Sequence, residues 1–368
     1  MFNKYDPPLS VRLSLIIMGV LAFFYILSAG QRIIVPILFA LIIAILLNPL
    51  VNLLKKKLHR VVAITIALLV AFLFIAALFI FIATQINILS DSMPLLRQKL
   101  LDLIASTLQW LSEAFHLSSS QIQTWVVKVE TEGLKNGPGV IGETISTISG
   151  ALIIAFLIPV YTFLILFYKP LLLSFVAKLF PSDNYQAVKE VLVETKSLIQ
   201  NYLIGLMLEF ALLSSLYSIS LFILGIQYAL LLGVVGGLLN LIPYIGRIVA
   251  VCLAMTIALI TKEPIFAFYV FIAYTLSKFI DNNFISPVIV ASKVKINALV
   301  SIIVVLMGGT IWGVAGMFLS IPITAIAKVI FDRIDGLKPF GYLLGDTMPP
   351  VGLDLFFVRP NKEETTTN

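Results

Sequence analysis

Residues 61–84 read VVAITIALLVAFLFIAALFIFIAT, twenty-four positions without one charge. About 20 apolar residues in helical rise cross the ~30 Å hydrocarbon core of a bilayer, so this run predicts a transmembrane helix. The rest of the chain is of the same kind. Of 368 residues, 60% are hydrophobic and 12% charged, and the mean hydropathy is +1.06. Soluble domains carry about 25% charged residues. The 25 Lys/Arg and 19 Asp/Glu present here cannot coat a soluble body of this length. That excludes a soluble globular enzyme, a secreted disulfide scaffold and a disordered chain. What remains is an all-α polytopic membrane protein, a transmembrane helical bundle of about eight segments whose last members are broken or re-entrant.

Working toward the N-terminus, Ile33–Leu54 is a second span, interrupted by Pro36 and Pro49, and Val11–Ala29 is a first. Lys4 and Arg12 give the first run the look of a signal peptide, but its length and the run that follows predict a retained helix. Residues 1–84 thus form an N-terminal membrane block. Toward the C-terminus, residues 85–144 carry four basic and six acidic side chains. Leu96, Leu100, Leu103, Ile104, Leu108, Leu111 and Phe115 recur at helical spacing. Ser118–Ser120 are expected to cap a second short helix with Ile122, Val126 and Val129, and Gly133–Gly139 is a breaker cluster. This stretch reads as an extracytoplasmic amphipathic insert. Residues 145–335 form the C-terminal membrane domain, with spans at Ile145–Tyr168 and Tyr202–Ile223 and an amphipathic interfacial segment at 169–200. Residues 336–368 read as a polar, partly disordered tail.

Two later apolar stretches are too long for one straight helix. Tyr228–Ile260 is interrupted at Pro243-Tyr244-Ile245-Gly246-Arg247, and Ala298–Phe331 by Gly308, Gly309, Gly313, Gly316 and Pro322. Basic residues near helix ends set orientation. Lys55, Lys56, Lys57 and Arg60 place that loop in the cytoplasm, and with it the N-terminus. Lys169, Lys178, Lys189 and Lys196 fall inside, as do Lys328, Arg333 and Lys338 with the C-terminus. Eight full crossings put Lys293 and Lys295 outside, whereas two turned-back segments put them inside. The sequence favours the second path. Irregular backbone at membrane depth is tolerated inside protein or along a water-filled cavity, and two interrupted segments in one half point to a transport path.

Few charged side chains lie within apolar runs. Glu209 stands in NYLIGLMLEFALLSS; it reads as a proton or cation site facing a cavity, or as a carboxylate held near the interface. Lys278 and Asp281 are three residues apart and share a helix face. With Asn282 and Asn283, just before Pro287, they read as a polar substrate or ion site, or as a helix-end cap. Pro243, Tyr244 and Gly246 break a helix and free backbone groups between Asn240 and Arg247; the alternative is a hinge at the membrane surface with Arg247 snorkelling. Gly308, Gly309, Gly313 and Gly316 read first as close helix packing, with a small-xxx-small spacing at 309/313. No phosphate loop, nucleophile–base pair or Cys/His cluster occurs, so neither a cofactor, a metal nor an enzymatic reaction is expected. The single Cys252 permits no intrachain disulfide. The basic residues lie between apolar runs, which argues against nucleic acid and for orientation in the bilayer.

The stretches GVVGGLLNLIPYIGRIVAV, IDNNFISPVIV and VVLMGGTIWGVAGMFLSIPITAIAKVI, in that order, resemble the autoinducer-2 exporter (AI-2E) family. The resemblance covers about residues 10–335. Pro243, Tyr244 and Gly246 match the family's Pro-Tyr-x-Gly. Asp281, Asn283 and Pro287 match its acid-x-Asn-then-Pro signature, and Gly309, Gly313, Gly316 and Pro322 its glycine-rich last segment. The chain departs at Arg247, where a second Pro is frequent, at Lys278 in place of Gln, at Ala291 in place of Gly, and at Asn297-Ala298 in place of His-Pro. The resemblance implies a multi-pass transporter of the bacterial cytoplasmic membrane. Family members are linked to export of autoinducer-2, a small polar sugar-like molecule, and others to sodium or lithium/proton antiport. The expectation is an ion-gradient-coupled exporter of a small polar solute, with antiport as the alternative and a non-transporting membrane scaffold or regulator as a second. The expected partners are the lipid bilayer, the solute or cation, and further copies of the chain in a homo-oligomer.

Overall fold

The computed structural model describes residues 8–115, 134–181, 185–285 and 296–347, with side chains outside 111–155. Among them every regular element is helical. The expected cap at Ser118–Ser120, the short helix after it, Pro287, Ala291, Lys293, Lys295 and the end of the tail lie outside the described residues.

Helices α1 (Leu9–Ala29), α2 (Gln31–Leu54) and α3 (Arg60–Asp91) correspond to the first three apolar runs. The third continues past residue 84, beyond the expected domain boundary. Helix α4 (Met93–Phe115) is the amphipathic part of the insert. Helix α5 (Leu134–Lys178) is one 45-residue helix. It runs through Gly137-Pro138-Gly139 and across 144/145, so the expected breaker cluster does not break it. Pro138, the fifth residue, forgoes the backbone bond to the Leu134 carbonyl without interrupting the helix. Helix α6 (Tyr185–Ile223) spans 39 residues. The segment 169–200 is therefore not one element: it is the end of α5, a turn, and the first part of α6.

Among the described residues, six helices are long and apolar enough to cross a membrane. Large apolar side chains such as Phe79, Phe156 and Phe222 are exposed on them, as a lipid-facing surface requires. Inside, small residues bring the helices together, as expected where lipid is as apolar as the side chains. Ala44 and Ala67 pack with Val51, Ile64 and Leu166 between α2, α3 and α5. Pro170 cannot supply the N–H that would bond the Leu166 carbonyl one turn back. Arg60 takes that carbonyl at 3.1 Å, together with that of Phe167.

Helix α6 is the central element. It packs on α2 through Leu203 and Leu206, and on α7 (Ala229–Asn240) through glycine. A Cβ at Gly233 would overlap Ser218, and one at Gly237 would overlap Ser214, so the two helices run antiparallel at close approach. Helices α7, α8 (Ile245–Thr261) and α9 (Ile265–Ile280) complete a core with Leu213, Tyr217 and Leu221 of α6. At 1.5 Å per residue α7 and α8 measure about 18 and 26 Å, each short of a ~30 Å core.

Helix α10 (Ala298–Arg333) folds back on itself. Trp312 and Gly313 leave helical geometry, Gly313 with φ 60° and ψ −142°. A Cβ at Gly308 would overlap the Gly316 carbonyl and the Ser320 hydroxyl. A straight helix would hold residues 308 and 320 about 18 Å apart. The spacing 309/313 is thus not the packing pair: Gly313 is the turn, and Gly308 faces Gly316. Both ends of the hairpin meet one short helix, α11 (Lys338–Leu344). Asn297 caps α10 by accepting from the Val300 N–H at 2.9 Å, and its amide donates to the Leu343 carbonyl at 2.7 Å. Gly341 of α11 lies against Asp332 at the other end. The beginning of the expected tail is therefore helical and held.

Candidate functional site

The break between α7 and α8 is a turn of an uncommon kind. The Ile245 N–H donates to the Pro243 carbonyl at 2.7 Å, and Tyr244 between them has φ 63° and ψ −57°. This is the positive-φ γ-turn, a rare and strained conformation for a residue with a side chain. Gly246 follows against the Leu239 carbonyl, where a Cβ would overlap it. The tight turn leaves Asn240, the last residue of α7, pointing at α6. Its amide donates to Glu209 Oε1 at 2.8 Å.

Glu209 is 8% exposed, in the middle of α6. The Lys278 ammonium on α9 reaches the same Oε1 at 3.5 Å and forms an ion pair with Asp281 Oδ2. Asp281 is 0% exposed. It opens a π-helical turn, Asp281–Ile285, that widens the backbone at the end of α9; such turns recur at functional sites. Burying two carboxylates is costly unless they are paired and hydrogen-bonded. Lys278 and Asn240 supply that pairing in part, but Asp281 Oδ1 has no hydrogen-bond partner among the described residues.

These groups adjoin a cleft of about 940 Å³. Glu209, Asn240, Tyr244, Arg247, Lys278 and Asn282 line its polar side, and Val251, Met255, Phe271 and Ile321 its apolar side. The structure thus brings together Glu209, Asn240, Lys278 and Asp281 from three helices, with Pro243, Tyr244, Gly246, Arg247 and Asn282 around them. It does not bring Asn283 in: that side chain is exposed, and its amide donates to the Phe279 carbonyl at 2.8 Å. Gly308, Gly309, Gly313, Gly316 and Pro322 lie in the α10 hairpin. There Gly308 and Gly316 meet backbone to backbone, and Gly309 meets Met317.

A strained break beside paired acids on a cleft wall is a plausible construction for many membrane proteins. Comparison with known proteins narrows it. Residues 13–336 match the AI-2E family transporter profile. The chain belongs to the AI-2E transporter family. Relatives cover most of this AI-2E chain. It is 27% identical over 318 residues to YueF of Bacillus subtilis (strain 168), named as a candidate transport protein, covering 81% of this chain and 83% of YueF. A Haemophilus influenzae protein named in the same terms is 27% identical over 349 residues, 90% of this chain and 96% of the relative. The AI-2 transport protein TqsA of Escherichia coli (strain K12) is 23% identical over 322 residues, 86% of this chain and 90% of TqsA. With its membrane-spanning helices, the AI-2E chain is a multi-pass bacterial membrane protein of a transporter family.

Sequence reading missed three tyrosines of the AI-2E chain. Tyr202 lines the cleft about two helical turns from Glu209 on the same face of α6. Tyr217 and Tyr274 stack with ring centroids 4.1 Å apart, both fully buried behind the acids. The Tyr274 hydroxyl donates to the Leu232 carbonyl at 3.4 Å. The signal was present: Tyr274, Lys278 and Asp281 stand at i, i+4 and i+7, the spacing of one helix face.

Proposed function

We propose that the protein is a secondary transporter that exports a small polar solute in exchange for, or together with, an ion moving down its gradient. The observation that carries this reading is the Glu209–Lys278–Asp281 cluster at the wall of a 940 Å³ cleft, beside a helix broken by a strained turn. Ionisable groups within membrane segments are a functional site by default, and broken helices at such a site are how transporters free backbone groups for solute. The chain has no nucleotide-binding signature, so the driving force is an ion gradient. TqsA's name makes AI-2 the first solute to test. Sodium or lithium/proton antiport is the second reading, favoured by the paired carboxylates. A scaffold has no need of two buried acids beside a cleft.

The short α7 and α8 and the hairpin of α10 support two re-entrant segments. On that path Lys293, Lys295 and the C-terminus share the cytoplasmic side with the N-terminus. The test is flux in proteoliposomes across a panel of small polar solutes including AI-2, under imposed proton and sodium gradients. Wild type is expected to move one of them, with Glu209→Gln and Asp281→Asn slowed. Equal flux in wild type, both variants and protein-free vesicles overturns the reading.

A further inference from the structure

Two carboxyl groups share the single ammonium of Lys278. Glu209 Oε1 and Asp281 Oδ2 both reach its ammonium, and the two carboxylates therefore lie within about 6 Å of each other, where like charges repel strongly. Arg247 lines the same cleft but forms no ion pair with either acid among the described residues. Asn240 neutralises no charge. Two acids thus face one base in apolar surroundings, and Asp281 Oδ1 is buried with no hydrogen-bond partner among the described residues.

Hard monovalent cations seek several oxygen ligands at once. Glu209, Asp281 and Asn240 offer up to five side-chain oxygens, brought together from three helices. The position between the two carboxylates, which a bare cation would take, holds the Lys278 ammonium instead. That ammonium is covalently attached, 17% exposed at its side chain, and cannot leave with a gradient.

We propose that Lys278 is a tethered counter-cation: it occupies, from within the chain, a sodium- or lithium-type site built by Glu209, Asp281 and Asn240, and so closes that site to free alkali cations. The transport reading above supplies only the consequence, that coupling then passes to protons. The site itself is tested by binding, without any solute or flux.

The experiment is equilibrium binding of ²²Na⁺ to the purified full-length protein, competed with lithium, for wild type, Lys278→Ala and Lys278→Ala/Glu209→Gln. Wild type is expected to show no saturable binding. Lys278→Ala is expected to gain saturable, lithium-competed binding at least about tenfold above the wild-type background, because a cation juxtaposed with a like charge is strongly rejected. The double variant is expected to lose that gain. The same gain appears as a sodium-dependent rise in melting temperature of Lys278→Ala only. Saturable sodium binding by wild type that Glu209→Gln removes overturns the proposal. So does a monodisperse Lys278→Ala protein that binds no sodium. If Lys278→Ala aggregates, Lys278→Gln replaces it and is read the same way. Absence of flux in vesicles, with the binding pattern intact, overturns the transport reading and leaves this site standing.

Discussion

Two of the places where the C-terminal half turns its chain back are built in opposite ways. Between α7 and α8 the corner residue is Tyr244, at φ 63° in a γ-turn that a side chain makes unfavourable. In α10 the corner residue is Gly313, at φ 60°, with open space where a Cβ would stand. The arms differ too. Gly308 and Gly316 press backbone on backbone, whereas the end of α7 holds a polar Asn240 out toward Glu209 at 2.8 Å. One hairpin spends its glycines on packing and is relaxed. The other keeps strain and charge at a cleft. Strain persists only where the surroundings over-determine it, and it gathers at sites that must move or bind. On the proposed transport reading, the difference separates a scaffold element from a working one within a single fold.

The sharpest way to break that contrast is to spoil the packed hairpin. Gly308→Val places a branched side chain on the Gly316 carbonyl. We expect a loss of about 3 kcal/mol or more, at the upper end for overpacking, seen as loss of monodisperse protein in size-exclusion chromatography and a lower Tm. A variant that folds and melts like wild type would mean the two arms are not in contact.

The second test acts on the polar hairpin. Glu209→Gln and Asp281→Asn keep the shape but remove charge. Flux is expected to fall about 10- to 100-fold, the size of losing a hydrogen bond to a charged group, with Tm changed far less than by Gly308→Val. A large drop in Tm with unchanged flux per folded molecule would make the cluster a structural one.

Third comes a pair with opposite signs. Tyr244→Gly relieves the positive φ and is expected to raise stability by about 1 kcal/mol, while lowering turnover. Gly313→Ala introduces the same problem where none existed and is expected to lower stability by about 1–3 kcal/mol. Thermal unfolding of both variants beside wild type reads the signs directly. Equal signs would end the distinction between the turns.

The smallest effect lies outside both hairpins. Arg333, at the end of α10, holds Glu190 and Glu194 of α6 at 2.8 Å each, all of them substantially exposed. Arg333→Ala is expected to lower the melting temperature least of all these variants, and less still in high salt. Melting curves at two ionic strengths check it.

Much of this was legible in the sequence, for physical reasons that differ by residue. The spans were legible because a charge-free run such as 61–84 has few alternatives to crossing a bilayer. The break at Pro243–Gly246 was legible because proline removes a donor wherever it stands. The tertiary pairings were not. Nothing local to Glu209 marks Asn240 as its partner 31 residues on or Lys278 as its neighbour, since hydropathy records depth and not azimuth. The glycines around 308–316 announced close packing, but which glycine turns and which one packs depends on the fold-back itself. Residues 137–139 misled because glycine and proline lower helix propensity, a weak prior that the surrounding structure overrides. Asn297 stood out only as a departure from the family's pattern, and its cap on α10 and grip on α11 appear once the hairpin brings residues 343–345 beside it.

Cys252 lies exposed on the wall of the cleft, and the chain contains no second cysteine. The unmodified protein is therefore its own single-site reporter. One thiol-reactive spin label or fluorophore attaches at one known address, with no cysteine-free background to build and no native residue to remove. Its quenching by reagents added to one side of a vesicle or the other would then time which side the cleft faces, turnover by turnover.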